Sequence, residues 1–164
     1  MAQAKNREPE APPTPLGRTA GKALVQAPVR VAEVMTREVV SLSPHHSFFE
    51  ALSLLARHRF RHLLVVDADQ HLAGVISDRD LLRLMTRKPT LESTTVADFM
   101  KREAVTVRPE TPLSVATAEM LAHRINCLPV LDEAKRVCGI LTSTDLLRAF
   151  QRVQEWIEQT GPQN

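Results

Sequence analysis

The sequence predicts an α+β protein built from two β-α-β-β-α repeats packed against each other. Three observations carry this. The stretch Gly74-Val75-Ile76-Ser77-Asp78-Arg79-Asp80 is restated 65 residues later as Gly139-Ile140-Leu141-Thr142-Ser143-Thr144-Asp145. Residues 31–83 align with 96–148 without a gap, and the identities fall on turn positions as well as core positions: Met35/Met100, Pro44/Pro109, His58/His123, Arg59/Arg124, Asp67/Asp132 and Asp80/Asp145. Within each repeat, short apolar runs of strand length alternate with apolar residues at helical spacing. A unit of about 55 residues is marginal alone, so the two are expected to pack with pseudo-twofold symmetry and to leave a cleft between them.

Taken in order, residues 1–28 hold five of the eleven prolines and show no apolar period. They are predicted to be a disordered or weakly docked arm. The first repeat spans 29–88. Val31-Ala32-Glu33-Val34-Met35 reads as a helical turn, and Val39-Val40-Ser41-Leu42 as a strand closed by Pro44, which lacks a ladder donor. Ser47 with Glu50 forms a capping box ahead of a helix whose apolar face is Phe48, Ala51, Leu52 and Leu55. Leu63 to Asp67 reads as a buried strand and Leu72 to Ile76 as its return. A last helix around Leu81–Met85 stops before Pro89. Residues 89–95 form a polar linker.

The second repeat, 96–150, copies this order. Val96-Ala97-Asp98-Phe99-Met100 is the turn, Ala104–Val107 the first strand, and Thr111-Pro112 a cap and first helical position. Leu113, Ala116, Met120 and Leu121 are the expected apolar face of the next helix. Pro129 interrupts the run Leu128–Asp132 and argues for an edge strand. Leu146 and Phe150 of the last helix start a stripe that Val153 and Ile157 continue into the extension, 151–164, beside Trp156. That stripe either folds back on its own unit or is a dimer contact.

Charge and composition exclude several classes. Net charge is +2, and residues 1–30 carry five basic against two acidic residues, so the remainder is close to neutral. That argues against a nucleic-acid surface on the folded part, leaving only the basic arm as a candidate contact. No apolar run reaches the ~18 residues of a membrane span, and residues 1–10 lack the apolar core of a secretory signal. The two cysteines, Cys127 and Cys138, suit reduced thiols in a cytoplasmic protein. The six histidines show no ligand spacing for a metal, and Ser77 is not set in a nucleophile elbow. The chain is therefore expected to be no enzyme and to require no cofactor.

The two Val-Ala-[Glu/Asp]-[Val/Phe]-Met turns, the strand Leu128-Pro129-Val130-Leu131-Asp132 and the two Gly-x-x-[Ser/Thr]-x-x-Asp segments together closely resemble the cystathionine-β-synthase (CBS) domain family, as a tandem pair covering Val31 to about Phe150. The resemblance implies a regulatory module that binds an adenine nucleotide (AMP, ADP or ATP), or S-adenosylmethionine, in clefts between the repeats. Ser77 and Asp80 would serve one nucleotide site, Thr142 and Asp145 the other. A carboxylate offers two acceptor oxygens to the adjacent hydroxyls of a ribose, and a hydroxyl at a helix start lies where free N–H groups favour phosphate. The same spacing is also that of a helix cap.

On the family pattern, Arg61 and His62 would meet phosphates, including those of a nucleotide held by Asp145. Their counterparts Asn126 and Cys127 carry no base, and Arg79 is matched by Thr144, so the second set of phosphate contacts is expected to be poorer. Val40 and Val105 would border the adenine. A homodimer and a protein partner are the expected associations. The competing reading is a ligand-independent oligomerisation scaffold.

Overall fold

The computed structural model describes residues 29–87 and 90–160. The predicted arm 1–28 and the last four residues of the extension lie outside them. The architecture is mixed α+β. A 3₁₀ turn at Val31–Glu33 precedes β1 (Ser41–Leu42), α1 (Phe48–His58), β2 (His62–Val66), β3 (Leu72–Ser77) and α2 (Asp78–Arg87). A second 3₁₀ turn at Val96–Asp98 precedes α3 (Leu113–His123), β4 (Cys127–Leu131), β5 (Val137–Thr142) and α4 (Ser143–Thr160).

β1 pairs in parallel with β2, and β2 antiparallel with β3. β4 and β5 form the matching antiparallel pair. The predicted strand at Ala104–Val107 does not form and shrinks to one parallel bridge, Val107 to Val130. Pro129 explains this. Its carbonyl accepts from Val107 N–H at 3.1 Å, so its ring nitrogen faces the same flank and has no hydrogen to give. The aligned residue of the first repeat, Leu64, has that hydrogen and sits in the β1–β2 ladder.

The turns do not stay with their own repeats. Val31 and Met35 are buried with Ala116, Met120, Leu128 and Leu141 of the second repeat. Val96 and Met100 are buried with Leu42, Phe48, Leu63 and Ile76 of the first. The backbone follows: Thr36 and Ile140 exchange N–H···O bonds of 2.9 Å, and so do Lys101 and Val75. The two exchanges map onto each other under the 65-residue offset, as do the bridges Arg30–Pro112 and Ser47–Thr95. His71 pairs with Arg136, its own counterpart, and so marks the pseudo-twofold axis. Gly74 and Gly139 stand where these turns press closest. A Cβ on Gly74 would lie 2.8 Å from the Lys101 carbonyl, and one on Gly139 2.7 Å from Met35 Sδ.

Several local expectations change. The Ser47–Glu50 capping box forms, with Glu50 N–H donating to Ser47 Oγ at 3.2 Å and Ser47 N–H to Glu50 Oε2 at 2.7 Å. Thr111 does not cap α3. Its hydroxyl accepts from Arg108 N–H, and Pro112 is the cap position rather than the first helical residue, so α3 starts at Leu113 with no side-chain cap. Leu52 and Leu121 turn outward, since Ala51 and Leu55, and Ala116 and Met120, already define the inward faces. α1 and α3 both end on an arginine in the left-handed region, Arg59 (φ 54°) and Arg124 (φ 52°). The stripe on α4 is split: Ala149 is buried and Leu146, Val153 and Trp156 are half-buried, while Leu147, Phe150 and Ile157 are exposed. Among the described residues, no helix is long and apolar enough to cross a membrane.

Candidate functional site

β3 and β5 each end on a hydroxyl residue at which a helix begins, Ser77 before α2 and Thr142 before α4. Three residues on, an aspartate folds back onto it. Asp80 Oδ2 accepts from Ser77 N–H at 3.0 Å and from Ser77 Oγ–H at 2.5 Å. Asp145 Oδ2 accepts from Thr142 N–H at 2.8 Å and from Thr142 Oγ1–H at 2.5 Å. The cap reading of these residues is thus real, and it engages only one oxygen of each carboxylate. Oδ1 of Asp145 has Arg148 at 3.9 Å. Oδ1 of Asp80 has Arg83 at 3.9 Å and Lys101 Nζ at 3.4 Å. The Asp80 and Asp145 side chains are only 10% and 9% exposed.

Each carboxylate borders its own cleft. Ser77 and Asp80 face a cleft of about 640 Å³ together with Val105 of the other repeat. Thr142 and Asp145 face one of about 390 Å³ together with Val40. The sugar-side and adenine-side candidates of each cleft therefore come from opposite repeats, as the crossing turns require. Val39, Val40, Ala104 and Val105 lie on the segments that follow those turns. Arg61 and His62 border both clefts, and so does Asn126. The backbone holds this junction: the Arg61 carbonyl accepts the first N–H of α2, and the Asn126 carbonyl the first N–H of α4, each at 3.0 Å. Arg79 lines the larger cleft, and its counterpart Thr144 the smaller.

The charges are not as the aligned pairs suggest. The larger cleft does not lack base: Arg83, Lys101 and Arg124 join Arg61 and Arg79 there, against Asp78, Asp80 and Glu103. The sequence marks neither Lys101 nor Arg124 as a site residue. Arg124 is legible only as the cap that swings the chain into β4. Lys101 follows Met100 in the turn motif, and it reaches the cleft only because that turn crosses. Burial holds the His62 imidazole below its ordinary 6.5, opposed by the charges of Asp78 and Asp80. Burial also pushes Cys127 up to about 11, which leaves it a neutral thiol at neutral pH. Cys127 and Cys138 are both free.

Outside the clefts, Asp67, Asp69 and His71 bring ligand-type atoms within 4.8 Å of one another, a grouping that sequence spacing did not suggest. All three are exposed, and Asp67 Oδ1 already accepts the Asp69 and His71 N–H groups of the hairpin turn.

A family model described as CBS domain matches residues 31–87 and again 96–152. The chain is 27% identical over 135 residues to L-aspartate semialdehyde sulfurtransferase of Methanocaldococcus jannaschii, covering 82% of this chain and 26% of that one. It spans roughly a quarter to a third of the length of the curated relatives it matches. Among solved structures, CBSX2 of Arabidopsis thaliana in complex with AMP superposes with a TM-score of 0.70 at 30% identity, over 77% of this chain and 99% of that one. The CBS domain pair of protein MJ0100, in complex with 5-methylthioadenosine and S-adenosyl-L-methionine, gives 0.68 at 27% identity over 74% and 98%.

Proposed function

The chain belongs to the CBS domain family, as a tandem pair, and from that premise we propose that it is a regulatory module, not an enzyme, which binds an adenosyl compound in its two clefts. The observation that carries this is the composition of each cleft. A hydroxyl–aspartate pair at a helix start faces a half-buried valine of the other repeat across a hollow large enough for a nucleoside. In each, Oδ1 of Asp80 or Asp145 accepts a ribose hydroxyl while Oδ2 keeps the helix start in place. Val40 and Val105 cover the adenine. Arg61, His62 and Arg79 stand on the phosphate side, near the positive ends of the α2 and α4 dipoles. The AMP bound to CBSX2 and the adenosyl ligands of the MJ0100 pair support the ligand class.

A ligand spanning both repeats favours one angle between them, and that shift is the signal. The signal is read by a second copy or by a partner protein. Exposed apolar side chains on α1, α2 and α4 (Phe49, Leu82, Met85, Leu147 and Phe150) support a homodimer through these helices. Two free thiols, one of them buried, suit the reducing cytoplasm.

Isothermal titration with AMP, ADP, ATP, S-adenosylmethionine and NAD tests the reading. At least one is expected to bind, and Asp80→Ala with Asp145→Ala to abolish binding that either change alone only reduces. Heat from none of the five would sink it. Light scattering with and without the bound ligand is expected to show a dimer whose shape or partner affinity responds. A dimer indifferent to every ligand is the outcome of the scaffold reading.

A further inference from the structure

Resting on that reading, we propose that Lys101 makes the two clefts select different ligands: the cleft of Asp80 demands a phosphorylated adenosine, whereas the cleft of Asp145 also accepts uncharged nucleosides. The two acids are alike in burial and in their Oδ2 bonds, and they differ at Oδ1. Lys101 Nζ lies 3.4 Å from Asp80 Oδ1. The aligned residue beside the cleft of Asp145 is Thr36, which has no charge to offer. A ribose hydroxyl that takes Asp80 Oδ1 competes with this ammonium group for it and weakens the ion pair.

The ammonium then needs another anion. A phosphate on the same ligand supplies one, and the 62% exposed lysine is long and free enough to swing to it. Adenosine supplies none, so it competes with the ion pair and returns nothing. At Asp145 there is no ammonium to compete with, and both kinds of ligand meet the same carboxylate oxygen. Size and charge agree with the assignment: the cleft of Asp80 is the larger, and Arg79 adds base there where the smaller one has Thr144, while Arg124 is matched by Arg59.

Asp145→Asn and Asp80→Asn isolate the clefts, because asparagine retains an oxygen for the helix cap while losing the charge. Titrating each variant with adenosine, AMP and ATP gives a phosphate preference, the ratio of affinities for ATP and adenosine, for each cleft. The ratio is expected to be higher in Asp145→Asn. Adding Lys101→Thr should lower it about tenfold there, the loss of one charge-assisted contact, and leave it unchanged in Asp80→Asn. The reciprocal Thr36→Lys should raise the ratio in Asp80→Asn. Equal ratios at the two clefts, or a ratio in Asp145→Asn that ignores Lys101→Thr, overturn the proposal while nucleotide binding itself stands. Failure of the unsubstituted chain to bind any of the three overturns this proposal, and the parent reading falls with it only if ADP, S-adenosylmethionine and NAD fail as well.

Discussion

His62 stands where the two clefts meet, and its environment turns it into a probe of the folded state. Burial is the largest influence on it and lowers its pKa, against the raising effect of Asp78 and Asp80. The unfolded chain binds a proton near 6.5, the folded chain only at lower pH. As pH falls through 6.5 the unfolded state gains the proton first, so stability is lost from there down to the folded pKa and then levels off. His62→Gln is expected to remove this component. The difference in urea midpoint between the two proteins should be constant above about pH 7.5, a unit past the free imidazole value, and should shrink as pH falls below 6.5. A difference that stays flat from pH 8 to pH 5 would show that the imidazole is as free to ionise in the fold as in the coil. At this scale the sequence was informative about chemistry and silent about engagement. Ser77–Asp80 and Thr142–Asp145 read equally as caps or as sugar ligands, because the spacing that caps a helix start also presents a carboxylate there. The structure shows the cap made by Oδ2 alone, with Oδ1 of each aspartate facing basic side chains.

The elements were legible wherever one local rule decided them, and illegible wherever a neighbour decided. Ser47 and Glu50 sit three apart on one chain segment, so the capping box could be read directly. Thr111 is a capping residue one place too early: the position that matches Ser47 is Pro112, whose side chain has nothing to accept with. Pro129 signals an edge strand by its place in an apolar run. Its further effect, dissolving the strand at 104–107, needed the flank on which its missing hydrogen falls. The glycines of the repeated motif read only as strand residues. Their reason is steric, and it comes from the crossing turns. Gly74→Ala would put a methyl group 2.8 Å from the Lys101 carbonyl, which is itself held by the Val75 N–H at 2.9 Å and cannot yield. Gly139→Ala meets first the end of a flexible side chain, Met35 Sδ. Overpacking of this kind costs about 1–3 kcal/mol. Gly74→Ala is expected at the upper end of that range and Gly139→Ala at the lower, by denaturant melts of the two variants. Equal losses would mean that the Thr36 carbonyl, 3.2 Å from the added carbon, is as immovable as that of Lys101.

At the scale of the molecule, the repeat seen in the sequence and the unit that closes a core are not the same stretch of chain. The repeat 29–88 contains Leu42, Phe48, Leu63 and Ile76, but the Val96 and Met100 that complete their core lie past its end. In their place it carries Val31 and Met35, which belong to the other core. Shifting the window to 38–103 gathers β1, α1, β2, β3, α2 and the turn that covers them into one uninterrupted segment. That segment also keeps the backbone bonds of Val96 to His46, Ala97 to Pro44 and Lys101 to Val75. The second core has no such window, because its turn at Val31–Glu33 and its helix α4 lie at opposite ends of the described chain. Burying a valine and a methionine contributes about 1.5–3 kcal/mol each, a large fraction of the 5–15 kcal/mol that separates folded from unfolded domains. Two fragments of nearly equal length should therefore behave differently: 38–103 is expected to melt cooperatively with dispersed amide resonances, and 29–88 to remain collapsed without a transition. Adding a fragment of residues 96–164 should rescue 29–88, since each then supplies the turn the other lacks, and the complex should regain both clefts. If 29–88 folds as well by itself as 38–103, the crossing turns are decoration on cores already complete.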